Sequence, residues 1–96
     1  MRKLSGAEGS CEVTFTLPAD VRAESVYLCG EFNDWSTSAT PMDRDDDGAF
    51  AVTVVLEPGR NYRFRYLLDG ARWENDWAAD DYAANDFGGD DSVVSL

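Results

Sequence analysis

Three tryptophans stand in or beside loops of this 96-residue chain: Trp35, Trp73 and Trp77. An indole is a large, flat, rigid surface whose quadrupole favours C–H groups over its face. A pyranose ring presents such C–H groups, with hydroxyls around its rim that charged or amide side chains can hydrogen-bond. Loop tryptophans among polar neighbours therefore point to sugar binding. The plainer alternative is that each indole sits beneath a loop and completes a small core. For Trp77 that alternative is the stronger.

Other chemistries find fewer of the residues they need. There is no histidine, which removes Ser-His-Asp and Cys-His arrangements. Carboxylates abound, so paired acid–base residues exist by type, but a chain this short offers no obvious cleft in which burial could raise the pKa of one. Asp43-Arg44-Asp45-Asp46-Asp47-Gly48 fits the first half of a calcium-binding loop. Position twelve of that loop is Val54, where a bidentate Glu is needed, and a hairpin turn with solvated aspartates fits better. Gly88-Gly89 is followed at once by two aspartates, a poor cradle for phosphate. The expectation is a non-enzyme without metal or cofactor.

Charge narrows the partners. The chain carries 19 Asp+Glu against 8 Lys+Arg, a formal net charge of -11. Such a field repels nucleic-acid backbones and anionic membranes. It reads as a solvated surface, or more sharply as adaptation to concentrated salt, which would screen the self-repulsion. The opening Met1-Arg2-Lys3-Leu4-Ser5-Gly6 has charge but no apolar stretch after it, so a cytoplasmic location is the default expectation. Cys11 shares parity with Val13, Phe15 and Leu17, whereas Cys29 opposes Val26 and Leu28. The two thiols are expected on opposite faces, unbridged.

The order of elements is all-β. Residues 1–10 read as a flexible lead-in and 11–96 as a single domain. Residues 11–17 alternate apolar and polar, as do 61–68, with Tyr62, Phe64, Tyr66 and Leu68 on one face and Arg63, Arg65 and Leu67 on the other. Further strands are expected at 25–30, 49–56, 71–73 and 92–96. Turn signals lie at Asp45–Gly48, Pro58-Gly59 and Asp69-Gly70. Residues 74–91 are a long acidic loop, of a length that is either functional or hides an element. Short strands with regular turns predict an immunoglobulin-like β-sandwich.

Within that frame one stretch is specific: Val26-Tyr27-Leu28-Cys29-Gly30-Glu31-Phe32-Asn33-Asp34-Trp35-Ser36. It resembles carbohydrate-binding module family 48, which includes the glycogen-binding domain of the AMP-activated protein kinase beta subunit and the N-terminal early-set domains of isoamylases and branching enzymes. Tyr66-Leu67-Leu68-Asp69-Gly70-Ala71-Arg72-Trp73 is similar to a second part of the family pattern. Asn85-Asp86-Phe87-Gly88-Gly89-Asp90-Asp91-Ser92-Val93-Val94 is similar to a third. The resemblance covers roughly residues 11–96.

The resemblance implies a domain that binds α-1,4-glucan without catalysing anything. It places Trp35 and Trp73 where the family has two sugar-stacking tryptophans. By the same resemblance, Arg65 replaces a lysine that hydrogen-bonds glucose, Phe87 a leucine that packs on the sugar, and Asp91 an asparagine that contacts hydroxyls. Gly89 replaces a threonine, which removes one hydrogen bond, and an ionised Asp91 can accept but not donate. Trp77 has no counterpart in the pattern. The alternative is a protein-interaction domain that docks on a glucan-metabolising enzyme or forms a homodimer, which would cover its sheet edges.

Overall fold

The computed structural model describes residues 1–5 and 9–96. Along the chain run nine strands: β1 (Arg2–Ser5), β2 (Cys11–Leu17), β3 (Val26–Gly30), β4 (Asp43–Arg44), β5 (Phe50–Leu56), β6 (Asn61–Leu68), β7 (Arg72–Glu74), β8 (Asp81–Ala84) and β9 (Asp90–Ser95). They form two antiparallel sheets. One has the order β1-β2-β5-β4; the other has the order β3-β6-β9-β8, with β7 added beside β6. The sheets pack face to face as a β-sandwich, the fold class expected from the sequence.

Period-two patterning explains the packing. In β2 buried and exposed residues alternate, and its seven residues pair with β5 from Cys11 opposite Leu56 to Leu17 opposite Phe50. Val13, Phe15 and Leu17 thereby face Tyr62, Phe64, Tyr66 and Leu68 of β6 across one continuous core. Phe15 and Phe64 meet edge to face at 4.9 Å between ring centroids. Phe32, from the turn after β3, packs on Phe15 at 5.7 Å and closes one end of the core. The other parity of β6, carrying Arg63, Arg65 and Leu67, forms the outer face of its sheet.

Three elements escaped the sequence pattern, and each lacks an apolar alternation. β1 falls in the expected flexible lead-in, yet residues 2–5 pair with β2 from Arg2 opposite Thr14 to Ser5 opposite Cys11. All four of its residues are exposed. Lys3 Nζ ties the strand to the far sheet through Asp80 and the Ser95 carbonyl. Residues 6–8 of that lead-in lie outside the described residues. β4 has only two residues. It ends at the Asp45–Gly48 turn, where Asp45 Oδ1 accepts from the N–H groups of Asp47 (2.9 Å) and Ala49 (3.0 Å). β8, Asp-Tyr-Ala-Ala, is an edge strand inside the expected loop 74–91, and its composition carries little β propensity.

Candidate functional site

The outer face of the β3-β6-β9-β8 sheet holds a cleft of about 880 Å³. Its lining includes Trp35, Arg65, Trp73, Phe87 and Asp91, and adds Glu31, Arg63, Ala84, Asn85 and Asp86. All five residues singled out in the sequence thus line one concavity. Arg63 and Arg65 arrive by parity on β6. The other residues are delivered by three turns.

The first turn carries Trp35. Gly30 ends β3 and pairs with Phe64. Asn33 then clamps the loop: its Oδ1 accepts the Gly30 N–H (3.0 Å), while its Nδ2 donates to Leu28 O (2.9 Å) and Thr40 Oγ1 (3.0 Å). The Trp35 N–H returns to Gly30 O at 2.8 Å. Asp34 and Trp35 both take positive φ, 56° and 59°. For a bulky residue that conformation is an outlier costing about 1–3 kcal/mol, and such costs concentrate at binding sites. The clamp by Asn33 holds Trp35 there with its indole half-buried at the cleft.

The second turn carries Trp73. Asp69 and Gly70 have φ of 53° and 69°, and the Ala71 N–H donates to Leu68 O at 3.0 Å. The expected two-residue turn is in fact one residue longer, because pairing resumes with Arg72 opposite Leu68 and Trp73 opposite Leu67. Leu67 belongs to the outer face, so the indole joins Arg65 there and stays 43% exposed. The Arg65 guanidinium lies 5.9 Å from its ring centroid, within the range of a cation–π contact. Arg65 Nε is buried and has no hydrogen-bond partner among the described residues.

The third turn joins β8 to β9. Asn85 Oδ1 accepts the N–H groups of Phe87 (2.9 Å) and Gly89 (3.1 Å), and the Asn85 N–H donates to Gly89 O (2.8 Å). The resulting tight loop holds Phe87 at its tip, 96% exposed. Asn85 Nδ2 also donates to Asp91 Oδ1 at 3.1 Å, and Arg63 Nη1 lies 3.6 Å from Asp91 Oδ2. Asp91 is only 7% exposed. Its carboxylate is therefore held from both sides and retains only part of its acceptor capacity for a ligand. Arg63 is itself fixed, through Nη1 to Ala84 O (3.1 Å) and through its backbone N–H to Glu31 Oε1 (2.6 Å).

Sequence reasoning missed Glu31, Arg63 and Asn85. Arg63 could have been found, since it shares the parity of Arg65. Asn85 and Glu31 act through turns whose geometry no spacing rule reveals. The cysteines are both buried and unpaired. Cys11 lies in the core, while Cys29 lies on the opposite side of its sheet, opposite Arg65. Burial pushes the Cys29 thiol up, which makes it a poor nucleophile.

Comparison with known proteins agrees with this architecture. Residues 11–92 match the family described as the glycogen recognition site of AMP-activated protein kinase. Protein FLOURY ENDOSPERM 6, chloroplastic, of Oryza sativa subsp. japonica is 41% identical over 54 residues, which are 56% of this chain and 10% of that protein. The chain thus spans about a tenth of the length of the curated relative it matches. With most of its length matched, outer-face cleft included, the chain belongs to the family of glycogen-recognition carbohydrate-binding modules.

Proposed function

We propose that this domain binds an α-1,4-linked glucan such as glycogen in the outer-face cleft and catalyses no reaction on it. The observation that carries the reading is the convergence of two indoles and a guanidinium, Trp35, Trp73 and Arg65, on one open concavity. The indoles supply stacking surfaces for the C–H faces of glucose units. Arg65 supplies donors for the hydroxyl rim, and its orphaned Nε–H favours a ligand rich in acceptors. Asp91 and Glu31 accept. Phe87, exposed at its loop tip, covers one side of the sugar. The Glu31 and Asp91 carboxylates are engaged by N–H groups of Arg63 and Asn85, an arrangement suited to holding a ligand rather than to shuttling protons. Two buried, unpaired cysteines fit a reducing compartment such as the cytoplasm.

Two stacking platforms with a few rim hydrogen bonds give modest affinity, a Kd of roughly 10–1,000 μM. Native electrophoresis through a gel containing glycogen tests this, with a plain gel as control. The wild-type domain should be retarded, and Trp73→Ala and Trp35→Ala should each lose about tenfold or more in affinity, ~1.4 kcal/mol. Retardation that survives both substitutions would sink the site assignment. Unretarded wild type, with an oligomeric state that changes on Trp73→Ala, would favour a protein-interaction domain instead.

A further inference from the structure

The loop between β7 and β8 carries an exposed indole that the cleft does not use. Trp77 follows Trp73 by four residues, is 57% exposed and is not part of the cleft lining. Its Nε1–H donates to Glu74 Oε1 at 3.1 Å. The indole therefore offers solvent a ring face and not a donor.

The backbone beneath this indole is fixed on every side. Asp76, 4% exposed, donates its N–H to Ser92 Oγ (2.9 Å). Its carboxylate accepts from the Tyr66 hydroxyl (2.7 Å) and the Ala78 N–H (2.8 Å). Its carbonyl accepts from the Tyr82 hydroxyl at 2.6 Å. Burial, reinforced by the charge of Asp76 and the hydrogen bond to it, pushes the Tyr66 hydroxyl far above the usual phenol range, so it remains a donor. Asn75 adds a second stitch: its Oδ1 accepts from the Ser92 N–H (3.0 Å) and its Nδ2 donates to Asp90 O (2.8 Å). A loop anchored this firmly cannot fold its tryptophan down onto the core. Tyr82, 44% exposed and bonded to the same segment, adds a second ring. A rigid scaffold that holds aromatic faces out in water is preorganised for a ligand.

The chemistry around Trp77 selects among ligands. Glu74, Asp80 and Asp81 stand near it in the chain, and the whole chain carries a net charge of -11. An anionic ligand is repelled, and a second copy would bring the same charges together. A neutral polyol meets no such penalty, and carboxylates accept its hydroxyls. Position argues the same way. Glu74 stands opposite Tyr66, a core residue, whereas Trp73 stands opposite Leu67 on the outer face. Trp73 and the Glu74–Trp77 pair thus flank β7 from its two sides, and the four residue steps from Trp73 to Trp77 span at most about 14 Å.

We propose that Trp77, with Tyr82 of the adjoining strand β8, is a second sugar-stacking surface. It receives the part of a glucan that leaves the cleft past Trp73 and curves around β7. This rests on the glucan-binding function proposed above. It makes the site longer than the cleft, so that affinity depends on the length of the glucan.

Titration calorimetry with maltotriose and maltoheptaose on the wild-type domain, Trp77→Ala, Trp77→Phe and Trp73→Ala tests the proposal. Trp77→Ala should weaken maltoheptaose binding roughly fivefold to tenfold, because it removes one of two linked contacts, and leave maltotriose within about twofold of wild type. Trp77→Phe, which keeps a ring but loses the bond to Glu74, should recover most of the loss. Trp73→Ala should weaken both sugars. If Trp77→Ala matches wild type for both sugars, or weakens both alike, the second surface is overturned while the cleft stands. A change of oligomeric state in Trp77→Ala on gel filtration would also overturn it, in favour of a second copy. Wild type that binds neither sugar would overturn the glucan reading itself, and this proposal with it.

Discussion

Trp73 stands opposite Leu67 in the β6–β7 ladder, and not opposite Tyr66. Residues directly opposite one another share a face, so a slip of one residue would move the indole to the other side of the sheet. Tyr66 is fully buried and fills the core at that level. Ala71 makes the difference. It lies between the left-handed pair Asp69-Gly70 and the point at which pairing resumes, and it has no partner in the ladder.

Inserting one alanine after Ala71 should therefore abolish the site while leaving all its named residues in place. With the three-residue closure kept, the inserted residue would pair with Leu68, Arg72 with Leu67 and Trp73 with Tyr66, on the core side of the sheet. The expected outcome is loss of retardation in a glycogen gel, equal to that of Trp73→Ala, with a lower melting midpoint because the core has no room for an indole. Wild-type retardation by the insertion variant would show that the turn absorbs the extra residue and that the face of Trp73 is not set by the length of this closure.

The same hairpin shows what could be read from the sequence. The strand pattern, the Asp-Gly turn and the presence of a tryptophan after it were all legible, because alternation and turn chemistry are local. The extra residue was not, since a two-residue and a three-residue closure share the signal. For the same reason β2 and β6 emerged residue for residue, whereas β1 and β8 did not. Those two are edge strands made of exposed or small residues, and they exist because a neighbour's backbone is there to pair with. Arg65, Phe87 and Asp91 were legible only through resemblance. Residue type and loop position offered three tryptophans, set Trp77 apart as better suited to a core role, and gave no way to choose between Trp35 and Trp73.

Asn85 should matter to binding although its side chain is spent on the protein. It organises the loop that presents Phe87 and donates to Asp91. Asn85→Ala leaves the N–H groups of Phe87 and Gly89 without their acceptor, and Asp91 without one donor. Because these groups lie near the surface, water can replace part of each bond, and the expected loss of stability is about 1 kcal/mol. The expected loss of glycogen affinity is about threefold to tenfold, as the loop gives up its preorganised form. Asn85→Asp, which keeps the acceptor but loses the donor, should restore the loop and only part of the affinity. Equal affinity in all three proteins would remove Asn85 from the site.

Gly30 is required for space. Its φ of -169° is open to any residue, but a Cβ there would lie 2.7 Å from Arg63 O and 2.8 Å from the Phe32 ring. The Arg63 carbonyl belongs to a paired strand and cannot retreat cheaply. Gly30→Ala should therefore cost about 1–3 kcal/mol as overpacking. At roughly 4–8 °C per kcal/mol for a domain of this size, calorimetry will resolve the drop in melting midpoint. An unchanged midpoint would mean that β3 and β6 can separate locally without loss.

Asp69 should make the fold sensitive to acid. Its Oδ1 accepts the N–H groups of Ser25 (3.0 Å) and Glu24 (2.8 Å), which fastens the β6–β7 turn to the start of β3. The Ser25 N–H, then that of Glu24, with help from Arg72, hold its carboxyl below the usual carboxylate range. Asp80 behaves alike: burial alone would raise its pKa, but Lys3, the Ser95 N–H and the N-terminal charge together outweigh that and lower it. A pKa lower in the folded than in the unfolded chain means that the unfolded chain binds more protons as the medium acidifies. The contribution of each group is then fully present above the unfolded carboxylate value, near pH 4, and is lost as pH falls through the folded one. Urea midpoints measured in steps from about pH 5 to pH 2.5 should decline over that window. Asp69→Asn tolerates the left-handed φ of 53° and keeps an acceptor for both N–H groups, but cannot ionise. Its acid decline should be shallower than that of the wild type, with the remainder removed in the double variant with Asp80→Asn. Parallel declines in wild type and Asp69→Asn would show that the acid sensitivity lies elsewhere among the carboxylates.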